Sequence, residues 1–260
     1  MKKIFCSIGI VVINLTIFKV TGLFIRQNVI DSFVSNFLCE LILGFLALIS
    51  IILLKKKSVL KFKFRGITEG LSVGAVFLII SGLGIISFVF NHEAITASSK
   101  DIIFFVIDMF LVGFSEEVLF RGIIQNEIQE YIGCDSVKSV RKTIIVSGIT
   151  FGMIHMSNVF SGVAIIPSLI QAVWAIPVGI LFGVIYYRSS KNLWVCIFIH
   201  AINDLVAFLD KGILSGCSQQ GAVNSYSVVG LFSVILYVGI VAFVMRKEKI
   251  EAILNTENKL

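Results

Sequence analysis

The stretch IIFFVIDMFLVGFSEEVLFRGII, residues 102–124, is apolar and long enough to cross a bilayer, yet it carries Glu116, Glu117 and Arg121 near its end. Roughly 20 apolar residues span the hydrocarbon core. Each charged side chain at bilayer depth costs roughly 2.5–3.5 kcal/mol on insertion scales. A segment serving only as an anchor would avoid such residues. The stretch therefore reads as a membrane helix that carries a functional site, with partners on other helices.

The rest of the chain agrees with a membrane setting. Its 260 residues are 57% hydrophobic and 15% charged, with mean hydropathy +0.98; soluble domains average about 45–50% apolar and about 25% charged. About eight apolar segments can be drawn, at 4–25, 34–54, 70–90, 102–123, 143–160, 165–187, 193–209 and 227–245. The expected fold is all-α, a polytopic membrane helix bundle of about eight transmembrane helices. Pro177 should kink the longest segment, because proline removes a helix hydrogen bond. The N-terminal run resembles a signal peptide but extends too far and lacks a small-x-small cleavage site, so it is expected to stay as a first span. Residues 124–142 are polar enough for a short surface helix, and the charged tail 246–260 is expected to fray.

Loop charges give the orientation. Lys2 and Lys3, the run from Lys55 to Arg65, the group Lys138, Arg141 and Lys142, the pair Arg188 and Lys191, and the group Arg246, Lys247 and Lys249 fall in alternate connections or at the termini. The remaining connections carry only Arg26, Lys100 and Lys211. The positive-inside bias then puts both termini in the cytoplasm. The net charge of +6 is spread over these short basic runs, so it does not point to nucleic acid. Cys6, Cys39, Cys134, Cys196 and Cys217 show no paired spacing and read as small embedded hydrophobes.

Polar residues inside the spans mark the site. His92 falls in an outer loop and reads as a bystander. His155 and His200 lie within spans, and Asn203 and Asp204 follow His200. At about 1.5 Å rise per residue, His200 lies roughly 12–14 Å, His155 roughly 18–20 Å and the two glutamates roughly 10–12 Å from the cytoplasmic ends of their spans. These depths predict one shared polar cavity, reached from the cytoplasm. Glu117 and Arg121 are four apart on a helix and should pair, as should Phe151 with His155 and His200 with Asp204. Glu116 is turned away from the pair and left free, which suits a general base. A purely structural reading remains for each: an ion pair closing a helix end, and histidines that only bond helix to helix. Gly148/Gly152 and Gly179/Gly183 are small-x-x-x-small pairs that let helices approach.

In order and spacing, EEVLFR (116–121), FGMIH (151–155) and HAIND (200–204) resemble the signature motifs of the CPBP family, which includes CAAX prenyl proteases and Abi-type bacteriocin-processing and immunity proteins. The resemblance covers about 100–210, so that stretch is expected to be the catalytic membrane core, with further membrane helices over 1–99 and a last helix and tail over 211–260. It implies an intramembrane endopeptidase of the bacterial plasma membrane. Glu116 and His155 would activate water, Glu117 and Arg121 would orient the site, and His200 with its partner would stabilise the oxyanion. The family's eukaryotic members carry Asn where Asp204 stands. Asp204 is then protonated, orients His200, or joins Glu116, His155 and His200 as a ligand of a divalent metal such as zinc. The Ile-, Lys- and Phe-rich composition suggests an AT-rich bacterial genome. The implied partners are membrane lipids and a peptide or membrane-protein substrate. Peptide maturation or bacteriocin self-immunity is then favoured over CAAX processing. A non-catalytic scaffold or immunity protein keeping the fold is the alternative, with a proton-coupled carrier ranked below it.

Overall fold

The computed structural model describes residues 2–91, 95, 97–209, 219–226 and 232–257. Among these residues the chain is helical throughout, with no strand. The helices are α1 (Lys2–Asn28), α2 (Ser32–Leu53), α3 (Ile67–Asn91), α4 (Ser99–Glu117), α5 (Asn126–Ile132), α6 (Val137–Ile154), α7 (Ile165–Arg188), α8 (Leu193–Ala207), α9 (Gln219–Asn224), α10 (Phe232–Val244) and α11 (Lys247–Glu257). Helices α1, α2, α3, α6 with its extension, and α7 are each long and apolar enough to cross a membrane, and α8 and α10 are shorter apolar helices. This is the expected polytopic bundle. His92, Lys211 and Cys217 lie outside the described residues.

α7 is the central element. It packs on α6, α3, α10 and α8 and buries most of its length, including Leu181, Phe182 and Ile185. It runs continuously through Pro177, which is buried within it. The outer faces of α1 and α3 stay apolar and exposed, as at Phe5, Phe24, Leu83 and Phe90. Such surfaces suit lipid, because backbone polar groups are satisfied inside each helix. Asn14 ties α1 to α2 by donating to Ser50 Oγ and to the Leu46 carbonyl, an interhelical polar contact of the kind that helps hold membrane helices together.

Two of the expected spans change helix type, and both changes fall on the motifs. α4 passes at Glu117 into a π-helical stretch, Val118–Gln125, before α5. The carbonyls of Arg121 and Gly122, loosened by the wider turn, accept bonds from Asn126 Nδ2 at 3.1 and 3.0 Å. π-bulges of this kind are frequent at functional sites. α6 tightens into a 3₁₀ stretch, His155–Ser161, that ends at Gly162 in a left-handed conformation, φ 88°.

The tail differs from expectation. α11 is an ordered helix that packs on α6, with Ile250 and Ile253 buried. These isoleucines, three apart, form an apolar stripe that the surrounding charges hide in a hydropathy reading.

The lysine-rich connections meet at one end of the bundle. Lys56 pairs with Glu127 at 2.8 Å and Glu130 at 2.9 Å, and Lys3 with Glu130, so the ends of α1 and α2 are tied to α5. Lys63 donates to the Ser190 carbonyl, and Arg141 to that of Met245. Lys3 and Lys56 hold the Glu130 carboxyl below its usual range, against the opposing effect of burial. At the other end, Asp31 accepts from the Phe33 and Val34 amides at the start of α2 and pairs with Lys100 at 3.5 Å.

Candidate active site

Three helix approaches assemble the site. A Cβ on Gly113 would meet the Ala201 nitrogen at 3.0 Å and the Ile197 carbonyl at 3.1 Å, so α4 lies directly against α8 and brings Glu117 to His200. A Cβ on Gly152 would meet the Ala172 carbonyl at 2.8 Å, and one on Gly179 the Gly148 Cα at 3.1 Å. The expected small-residue seam thus joins α6 to α7 and fixes His155 against α7.

Glu117 is the hub. Its Oε2 lies 3.2 Å from Arg121 Nε, and its Oε1 is 2.8 Å from His200 Nδ1. The contact with Arg121 is an ion pair without hydrogen-bond alignment. Arg121 also donates to the Gly179 carbonyl at 3.0 Å and lies over the rings of Phe151 and Phe182, 4.5 and 5.5 Å from their centroids. One turn on, Gln125 donates to the Gly183 carbonyl at 3.1 Å. The second glycine pair therefore also presents carbonyls to the π stretch, beyond the packing role read from the sequence.

The expected pairing of Glu117 with Arg121 holds, and Glu117 additionally holds His200. Glu116 is 24% exposed where Glu117 is fully buried, and it lines a cavity of about 140 Å³ together with His155, His200, Asn203 and Asp204. The structure thus gathers all three motifs. His200 Nε2 lies 3.3 Å from Asp204 Oδ2 and 3.7 Å from Glu116 Oε2. Both ring nitrogens face carboxylates, Nδ1 that of Glu117 and Nε2 that of Asp204. His155 Nδ1 sits 2.8 Å from the Phe151 carbonyl. A carbonyl can only accept, so the proton is on Nδ1 and the Nε2 lone pair is left as an acceptor.

Four cavity residues were not singled out from the sequence. Lys19 donates to Asn158 at 2.6 Å and Asn158 to Gln171 at 2.7 Å, and Glu40 lies buried on the α2 wall. Lys19 and Glu40 each gave a signal, as charges inside the first and second expected spans. Asn203 also reaches the cavity wall, with its Nδ2 3.4 Å from Asp204 Oδ1.

The donor set Glu116, His155, His200 and Asp204 does not form a metal shell. Among the described residues no three His, Cys, Asp or Glu side chains gather as metal ligands, and Glu117 already occupies one nitrogen of His200. No step is built on a metal.

Residues 98–206 match the family model for Rce1-like proteins, type II CAAX prenyl endopeptidases. This stretch resembles the core of a CPBP-type intramembrane protease. No curated protein matches the chain. The matched stretch runs from the start of α4 to the end of α8 and holds every motif residue, so the family core coincides with the cavity's polar wall. Lys19, Glu40 and the wall formed by α1 and α2 fall outside it. The chain is a multi-pass membrane protein, and the family its core resembles is one of prenyl endopeptidases.

The cavity extends along the helices beyond the motif residues. Its walls reach toward the end of α8 at Ala207 and Phe208, to Val163 before α7, and to Val223 and Tyr226. None of the lysine-rich connections lines it.

Proposed function

We propose that this chain is a glutamate-type intramembrane endopeptidase of a bacterial plasma membrane, acting in peptide maturation or in self-immunity to a bacteriocin. The observation that carries the reading is the division of labour in the glutamate pair. Glu117 is sealed by Arg121 and His200, while Glu116 is open to the cavity beside His155. A water held between Glu116 and His155 Nε2 loses a proton to one of them as its oxygen attacks the scissile carbonyl carbon. The oxyanion takes hydrogen bonds from His200 Nε2–H and from the second amide hydrogen of Asn203. The C–N bond then breaks as the amine receives the proton held by the base, so one water is consumed. Asp204 orients His200 and holds Asn203. The Asn203 amide supplies the donor that family members with Asn at the Asp204 position would offer.

The test compares purified wild type with Glu116→Gln on candidate leader peptides and on a prenylated CAAX peptide, the substrate in the family's name. Loss of a general base is expected to slow cleavage by about 10²–10⁴. Equal cleavage by both proteins refutes the assignment.

A further inference from the structure

We propose that the cleft between the end of α2, α5 and the α7–α8 turn binds the phosphate headgroup of an anionic phospholipid. The cleft lies at the lysine-rich end of the bundle and shares no lining residue with the cavity of the three motifs. Its volume of about 930 Å³ is in the range of small-molecule sites. Lys3, Lys55, Lys56, Lys61, Lys63 and Lys191 line it, against a single acid, Glu130. Glu130 and its neighbour Glu127 are already taken by Lys3 and Lys56. Lys63 donates to the Ser190 carbonyl at 3.0 Å, and Lys191 lies 5.7 Å from the centroid of the Tyr187 ring. Lys55 and Lys61 are exposed and, among the described residues, have no carboxylate partner. The cleft thus holds more positive charge than the protein itself neutralises, and lysine is a good point-charge binder of phosphate.

The positive-inside bias is met by lysines anywhere in these connections; it does not call for a cleft with fixed walls. Here the walls are built. Trp194 Nε1 donates to the Leu60 carbonyl at 2.8 Å, and the buried Asn192 Nδ2 donates to that of Lys63, so the segment carrying Lys61 and Lys63 is pinned at both ends. Lys55 and Lys191 follow α2 and α7 in left-handed conformations, φ 56° at each. Glycine would take that conformation without strain, yet both positions are lysine and both border the same cleft.

The alternation of side chains points to lipid as the source of the phosphate. The backbone at Lys61 is extended, φ −67° and ψ 126°, and successive side chains of an extended segment point to opposite sides. Lys61 and Lys63 line the cleft. Phe62 and Phe64 do not; they are 51% and 85% exposed and pack edge to face, centroids 5.1 Å apart. Exposed phenylalanines interleaved with lysines suit a segment lying in a bilayer interface. A phosphate from solution would use the lysines alone, whereas a lipid uses both sides of the segment. The leaflet at this end is the cytoplasmic one by the positive-inside bias, and its surface is negative.

The test follows the thermal unfolding midpoint of the full chain in detergent micelles by circular dichroism. Short-chain phosphatidylglycerol, its net-neutral counterpart phosphatidylcholine, and inorganic phosphate are titrated at matched concentrations. Lys55→Gln with Lys61→Gln removes two charges from the cleft. Lys138→Gln with Lys142→Gln removes two from the same end of the bundle but outside the cleft, and all four side chains are exposed. Expected is a saturable rise of the midpoint with phosphatidylglycerol and none with the other two. The cleft variant should need about tenfold more phosphatidylglycerol for half of the effect, and the control variant the same amount as wild type. An equal rise with inorganic phosphate or with phosphatidylcholine overturns the proposal. So does equal weakening in the two variants, or a wild type that does not respond to phosphatidylglycerol. The readout is binding, so the outcome is independent of the protease reading that Glu116→Gln tests.

Discussion

Arg121→Met should be among the most destabilising single changes in the core. The guanidinium is fully buried, touches Glu117 at 3.2 Å, donates to the Gly179 carbonyl at 3.0 Å and lies 4.5 Å from the Phe151 centroid. Methionine replaces most of its volume, so little of the cost is a cavity. The Gly179 carbonyl lies inside a helix and can keep its helical bond, so its loss is small. The dominant effect is electrostatic: Glu117 is left fully buried with His200 as its remaining charged partner. Breaking a buried pair by removing one member costs about 3–5 kcal/mol. Arg121→Lys keeps the charge but loses the planar fork and the stacking on two rings, and should fall between the two. Glu117→Gln combined with Arg121→Met removes both charges and should recover about 2 kcal/mol relative to the sum of the single changes. The assay is unfolding by graded denaturing detergent in mixed micelles, followed by helical circular dichroism. A cost for Arg121→Met below about 1 kcal/mol, within the range of ordinary substitutions, or strict additivity in the cycle, refutes the view that this pair is a sealed, mutually dependent unit.

Two further outcomes test the frame around the site. Gly152→Val drives a side chain into the Ala172 carbonyl and the Ile176 nitrogen, both backbone and both 2.8 Å from the new Cβ, so α6 and α7 must part; the cost should be about 1–3 kcal/mol or more, with cleavage falling as His155 moves. Gly9→Ala, with nothing within 4 Å, should stay within about 0.5 kcal/mol, and equal effects at the two positions in the same titration refute the close-packing argument. Asp31→Ala removes the N-cap of α2 and should cost about 1 kcal/mol at neutral pH. The Val34 amide holds the Asp31 carboxyl below its usual range, with help from Phe33 and Lys100. A depressed folded value means stability that is present above the unfolded carboxylate range and lost as pH falls through the folded one. The gap between Asp31→Ala and wild type should therefore close on acidification below about pH 4, and a gap that persists there refutes the capping account.

What the sequence made legible was local. The pairs Glu117–Arg121 and His200–Asp204 follow from helical spacing alone, and both form. The glycine seam was legible for a related reason, since a missing side chain at every fourth residue marks one face of a helix. The π-helical stretch was not legible, because one extra residue per turn leaves no mark on hydropathy, and the Asn126 side chain that supports it looks like any loop asparagine. Lys19, Asn158, Gln171 and Glu40 meet only through tertiary packing of α1, α2, the 3₁₀ stretch and α7. α11 was misjudged because two isoleucines among charges are outvoted in any window average.

The glutamate pair makes sense only when its oxygens are counted. Glu117 has two, and each is committed: Oε2 faces Arg121 and Oε1 faces His200. Glu117 is therefore spoken for on both sides and holds the His200 ring in place. That assignment explains why a second carboxylate stands beside it in sequence: adjacent residues on a helix diverge by about 100°, so Glu116 does not share the same partners and turns to the cavity. It also explains how Asp204 is tolerated. A carboxylate beside a developing oxyanion would repel it, but Asp204 faces His200 Nε2 at 3.3 Å and Asn203 Nδ2 at 3.4 Å, two donors whose orientation it fixes. In the proposed mechanism those donors turn toward the substrate oxygen as negative charge builds on it, while Asp204 keeps them polarised. The acid at this position is then a second orienting carboxylate, on the opposite side of His200 from Glu117.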